Sequence, residues 1–216
     1  MAQGRNRGDA VVSEIRIYVE GGGDAKSTKI ALREGFDRFL GELKAKARQC
    51  RLGWRVVLGG GLDETVKDFQ LAVRNHPAAM NMLLVDSDGP VEGTARQHLA
   101  GKLARSSDLE ESQCHLMVQV MESWLIADVE ALERFYGSGF QRSAIPGGED
   151  VEQVAKDRVL TGLERATRNT VKRKYHKIMH GGKLLGIVRP AVVRTKASCC
   201  NRLFETLESV ITEGRA

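Results

Sequence analysis

The sequence has no CxxC pair, and its four cysteines, Cys50, Cys114, Cys199 and Cys200, lack the spacing of a structural zinc site. The adjacent Cys199 and Cys200 do not make a disulfide framework. No apolar run approaches the length of a membrane span. The opening MAQGRNRGDAVVSE lacks the apolar centre of a signal peptide. A reduced, cytoplasmic protein with no membrane partner is therefore expected. Nucleotide signatures are missing too. A Walker A loop needs glycine at positions 20 and 25 ahead of Lys26-Ser27, where this chain has Glu20 and Ala25. The dinucleotide fingerprint fails because Lys26 stands where its third glycine belongs. His176 and His180 are four apart but lack the glutamate of a zinc-protease helix. No Ser-His-Asp or Cys-His arrangement and no internal repeat is visible.

What remains is an ordinary globular composition: 216 residues, 42% hydrophobic and 28% charged. That length suits one large domain, or an α/β core with a smaller addition. The formal net charge of +5 permits an anionic partner without requiring one.

Four segments read as strands. EIRIYVE (14–20) alternates, with Ile15, Ile17 and Val19 on one face. WRVVL (54–58), MLLVD (82–86) and HLMVQVM (115–121) follow. Between them, helical apolar spacing predicts a helix from about Asp24 to Arg48 and a second one capped by Asp63. A polar helix is expected between Thr94 and Arg105, and a helix over ESWLIADVEALERFYG. Strand and helix alternate four times, which predicts a sheet of about four mainly parallel strands flanked by helices, Rossmann-like in class. This α/β domain is placed at residues 14–137. After GSGFQRSAIPGGED the pattern changes, and residues 138–216 are expected to form a helical appendage packed on the core, with helices near 150–168 and 197–211.

Ligands of open parallel sheets bind outside the carboxyl ends of the strands. There the first strand ends in Glu20, the third in Asp86 with Asp88 two residues on, and the fourth is followed by Glu122. Clustered carboxylates repel and are costly to bury together. A hard divalent cation, Mg²⁺ or Mn²⁺, removes that cost with oxygen ligands of this kind. Asp128, further along, is a weaker candidate. In GGGDAKST, Gly22, Gly23 and Lys26 suit either a close approach to a phosphate or a plain strand-to-helix turn.

YVEGGGD followed by LLVDSDGP resembles the Toprim pattern, a Glu after the first strand and a DxD after the third. With HLMVQVMESWLIAD, RFYGSGF and the late KYHK…H stretch, residues 15–212 resemble a Toprim-like bacterial family often encoded beside ABC- or SMC-type ATPases, in settings that suggest phage defence. The resemblance implies Mg²⁺-assisted phosphodiester chemistry on DNA or RNA. Glu20 would then act as general base or metal ligand and Asp86 and Asp88 as metal ligands, with Glu122 an added ligand. No topoisomerase tyrosine domain or primase zinc module accompanies the pattern, which leaves a nuclease reading. Two other readings stay open: a non-catalytic subunit serving an ATPase, and a metal-dependent nucleotide-binding or phosphotransfer protein. A homo-oligomer is also open.

The segment RATRNTVKRKYHKIMH (165–180) is the densest positive block. Arg173, Lys174 and Lys177 could follow a phosphate backbone, Tyr175 could stack on a base, and His176 or His180 could position a phosphate. A solvated helix face explains the same charges equally well. Trp54, Trp124, Phe135 and Cys114 read as core.

Overall fold

A computed structural model of the chain describes residues 12–23, 26–101 and 109–214. Four strands, β1 (Glu14–Val19), β2 (Gly53–Leu58), β3 (Ala79–Asp86) and β4 (Cys114–Met117), pair in parallel throughout. Their order is β2-β1-β3-β4. The chain steps from β1 to one neighbour and then crosses to β1's other side. That reversal opens a crevice between the carboxyl ends of β1 and β3, the topological switch point of an open α/β sheet.

Side-chain alternation assigns the two faces. Ile15, Ile17, Val19, Met82 and Leu84 face one layer, while Tyr18, Leu83 and Val85 face the other. The first layer contains α1 (Lys26–Phe39) and α2 (Gly41–Gln49). The second contains α3 (Leu62–Asn75) and α4 (Ala95–Leu99). The sheet is thus covered on both faces, as an all-parallel sheet requires.

The remaining helices are α5 (Met121–Ala127), α6 (Val129–Tyr136), α7 (Lys156–Thr167), α8 (Lys177–Leu185), α9 (Pro190–Arg194) and α10 (Ser198–Glu213). They complete the first layer: Val159, Leu163, Leu184, Leu203 and Leu207 share one apolar core with β1 and α1. Trp124 is fully buried there and stacks on Phe39, with ring centroids 5.4 Å apart. The tightest helix crossing joins α1 to α8. A Cβ added at Gly35 would meet the Gly182 carbonyl oxygen, and one added at Gly182 would meet the Ala31 carbonyl oxygen. Only glycine lets the two backbones come this close, and the crossing fixes where α8 begins.

Several local readings are corrected. The helix expected over 24–48 is two helices that part at Leu40, whose ψ of 16° bends the chain so that Leu40, Leu43 and Ala47 stay on the core. The helix after β4 breaks at Asp128, whose carboxylate caps α6 by accepting from the Ala131 N–H instead of letting the helix continue. β4 stops at Met117, four residues short of the expected end, and α5 starts at Met121. Gly61 rather than Asp63 occupies the cap of α3. Residues 151–153 form a 3₁₀ turn, and α7 begins only at Lys156. α4 is short and closed by a Thr94–Gln97 capping box; the rest of its expected span, residues 102–108, lies outside the described residues.

Candidate metal centre at the carboxyl edge of the sheet

The parallel strands bring their terminal acids to one edge. Glu20 follows β1, and its Oε2 accepts from the Asp86 backbone N–H at 3.3 Å. The link spans the crevice between β1 and β3. Asp86 ends β3, and its Oδ1 accepts from the Met121 N–H at 2.8 Å, the first residue of α5. A carboxylate at a helix start takes up an amide that has no partner inside the helix.

Glu122, the next residue, has 0% exposure. Its Oε1 accepts from the Tyr175 hydroxyl at 2.8 Å. Its Oε2 is buried and has no hydrogen bond among the described residues. The Lys177 ammonium stands 3.6 Å from that oxygen and 3.4 Å from Asp86 Oδ2. Both distances exceed the 2.7–2.9 Å or so of a close charge-assisted contact.

Asp88 sits in the turn after β3 in a left-handed conformation, with φ of +61°. The neighbouring Gly89 carbonyl accepts from Ser87 Oγ at 2.6 Å, which tightens this turn. Asp88 Oδ1 accepts from Lys156 Nζ at 2.6 Å. Lys156 is the first residue of α7, and its backbone N–H donates to Gln119 Oε1 at 3.1 Å. Two lysines that open two helices therefore face the acidic edge: Lys156 beside Asp88, and Lys177 beside Asp86 and Glu122.

Burial, reinforced by the neighbouring Glu122 and Glu20 carboxylates, pushes Asp86 up to about 7 against the opposing pull of Lys177 and the Met121 N–H. Burial works against the charged form of Lys177, but Glu122 and Asp86 outweigh it and hold the ammonium above its ordinary range. Burial and the adjacent Glu122 carboxylate raise the Tyr175 phenol well above its usual value, so it stays a protonated donor to Glu122.

A family model described as a domain of unknown function, DUF4276, matches residues 19–208. The chain belongs to this family. The DUF4276 match starts one residue before Glu20 and ends inside α10, so it spans every group of the acidic edge. Neither the curated proteins nor the solved structures contain a match to the chain.

Within the DUF4276 fold the residues expected from the sequence divide clearly. Glu20, Asp86 and Glu122 come together, and Asp88 lies next to them on Lys156. Asp128 does not join them. It is buried and held by the Arg189 backbone N–H and guanidinium, at 2.6–2.9 Å. Gly22 and Gly23 have φ of +91° and +54°, a backbone that glycine alone adopts without strain, and the Gly21 N–H donates to the Gly60 carbonyl, tying this loop to the exit of β2. Lys26 begins α1, but its side chain lies outside the described residues.

Three residues of the basic segment, Tyr175, His180 and Lys177, are placed otherwise than expected. Tyr175 is buried and spent on Glu122, so it is not presented for stacking on a base. Its backbone N–H donates to Thr167 Oγ1 at 2.7 Å, which pulls the ring inward. His180 is buried as well: its Nδ1 faces the Tyr136 hydroxyl at 3.0 Å and accepts from the His176 N–H at 3.2 Å. It pins the first turn of α8 rather than meeting a phosphate. His176, Arg173 and Lys174 are exposed, with Lys174 paired to Glu164 at 2.8 Å. Lys177 turns to the carboxylates. Lys156 was missed altogether, because no spacing in the sequence links it to Asp88.

Among the described residues, no three His, Cys, Asp or Glu side chains are arranged to hold a metal ion as they stand. The donors are nevertheless of the right kind. Asp86, Glu122 and Glu20 offer only carboxylate oxygens, and among the described residues the buried Glu122 Oε2 has no hydrogen-bond donor. These are the residues that would hold a hard divalent cation.

Proposed function

We propose that this chain is a Toprim-type, metal-dependent nucleic-acid phosphodiesterase centred on Asp86, Glu122 and Glu20. One observation carries the reading: Glu122 is sealed from solvent with one oxygen lacking a hydrogen bond, beside an Asp86 that burial has already pushed to about 7. Burying acids together costs folding free energy that an apolar residue would not. A bound divalent cation offsets that cost and supplies Lewis-acid stabilisation to a phosphate under attack.

The chain's own groups have distinct parts. Tyr175 holds the Glu122 carboxylate in orientation through Oε1 and leaves Oε2 facing the centre. The α5 start holds Asp86 in the same way through Oδ1. Glu20 is half-buried at the mouth of the crevice, where a group that takes a proton from water must reach solvent. The glycine turn beside it lets a phosphate approach the backbone closely. Arg173 and Lys174, exposed just before Tyr175, give the segment the positive charge that a phosphate backbone attracts.

The test is incubation of the purified chain with labelled single- and double-stranded DNA and RNA in Mg²⁺, Mn²⁺ or EDTA, alongside Glu20→Gln. Metal-dependent cleavage of one polymer, lost in the variant, is expected. Hydrolysis confined to free nucleotides would move the activity to small molecules, and no metal-dependent cleavage of any substrate would overturn the reading.

A further inference from the structure

We propose that Lys177 is a displaceable counter-ion that keeps the place of the divalent cation between Asp86 and Glu122 until the metal exchanges for it. The inference rests on the metal-dependent reading above. It starts from a contrast with the shortest ion pairs of the fold. Lys156 closes on Asp88 at 2.6 Å, Arg189 on Asp128 at 2.6 Å and Arg202 on Glu111 at 2.6 Å. Lys177 donates a long hydrogen bond to Asp86 Oδ2 at 3.4 Å and stands 3.6 Å from Glu122 Oε2, between two carboxylates and close to neither. Glu122 Oε2 stays without a hydrogen bond although an ammonium is its neighbour. The lysine offsets part of the cluster's charge without hydrogen-bonding its most buried oxygen.

The backbone that carries Lys177 is fixed. The first turn of α8 is pinned by the His176 N–H on His180 Nδ1, and its middle by the Gly182–α1 crossing. The side chain is held only by a long hydrogen bond to Asp86 Oδ2 and an ion pair to Glu122, and it is 53% exposed, against 10% for Asp86 and 0% for Glu122, among the described residues. A compact ammonium on a flexible four-carbon stem can rotate out to solvent while the carboxylates stay in place. Exchange then swaps one cation for another, and the buried acids are never left without positive charge. Lysine at this position therefore stabilises the empty centre and weakens apparent metal affinity.

The exchange is tested by titrating Mn²⁺ into the full-length chain by calorimetry, for wild type, Lys177→Met and Lys177→Gln, with melting temperatures recorded in EDTA and in Mn²⁺. Both variants should bind Mn²⁺ more tightly, on the order of tenfold or more, because a competing charge within about 4 Å is gone. Both should melt lower than wild type in EDTA and gain more from Mn²⁺. Wild-type Mn²⁺ binding with unchanged or weaker binding in the variants would overturn the exchange and leave the metal centre standing. A variant that only loses stability gives that same negative answer. No Mn²⁺ binding by any of the three proteins would overturn both readings. Lys177→Gln keeps the test decisive should the methionine variant fold poorly.

Discussion

Asp86→Asn is expected to stabilise the metal-free protein at neutral pH, which is unusual for a substitution in a buried polar cluster. The cause is the raised proton affinity of Asp86 in the fold, from an ordinary 3.8 to about 7. A carboxyl whose folded value lies above its unfolded value holds its proton more tightly when folded. Well below pH 4 both states are protonated and its contribution to stability is fully present. As pH rises towards 7 the unfolded chain sheds the proton first, and folding grows progressively less favourable. Above pH 7 both states are ionised and the penalty is constant. The change is roughly three on the pH scale, and each step of one is worth about 1.4 kcal/mol, so the ceiling is about 4 kcal/mol. Asparagine keeps an oxygen for the Met121 N–H and carries no charge to desolvate. Urea unfolding in EDTA from pH 4 to pH 8 should show the two proteins nearly equal at the acid end and the variant ahead by about 2–4 kcal/mol at the alkaline end. A difference that is flat with pH, or that favours wild type at pH 8, would refute the electrostatic reasoning.

Tyr175→Phe removes the Tyr175 hydrogen bond on Glu122 Oε1 and should cost about 1–3 kcal/mol, read from urea midpoints. Gly182→Val drives a side chain into the Ala31 carbonyl of α1 and should cost about 1–3 kcal/mol or more, read from thermal melting. Hydrogen bonds from Arg189 hold Asp128 below the usual carboxylate range, so this pair adds stability above the ordinary aspartate value and loses it as pH falls. Arg189→Leu should therefore lower the melting temperature at pH 7, and the gap from wild type should narrow in acid. If the basic segment follows a phosphate backbone, Arg173→Ala with Lys174→Ala should flatten the salt dependence of nucleic-acid binding by about two in the log–log slope, measured by fluorescence anisotropy.

The sheet was legible because its signal is local. Ile15, Ile17 and Val19 alternate, and glycines stand at the exits of β1 and β2. Once the strands are parallel, Glu20, Asp86 and Glu122 must share one edge, so the acidic half of the centre follows from topology. Its basic half does not. Lys156 meets Asp88 across 68 residues and Lys177 meets Asp86 across 91, and no period in the chain encodes such separations. Tyr175 misled for a related reason: an aromatic among lysines reads as a surface stacker, yet Thr167 takes its backbone N–H and turns the ring onto Glu122. The helix breaks at Leu40 and Asp128 were hidden because apolar spacing continues across both. The core around Leu40 and the Arg189 contact to Asp128 decide there, and both are tertiary.

The most direct test of the acidic edge as a catalytic centre is phosphodiester cleavage by Asp86→Asn, measured beside wild type in Mg²⁺ or Mn²⁺ on the same preparations used for unfolding. The account predicts a well-folded variant, at least as stable as wild type at pH 8 without metal, whose metal-dependent cleavage falls by on the order of a hundredfold or more. Cleavage that survives the substitution at the wild-type rate would contradict it.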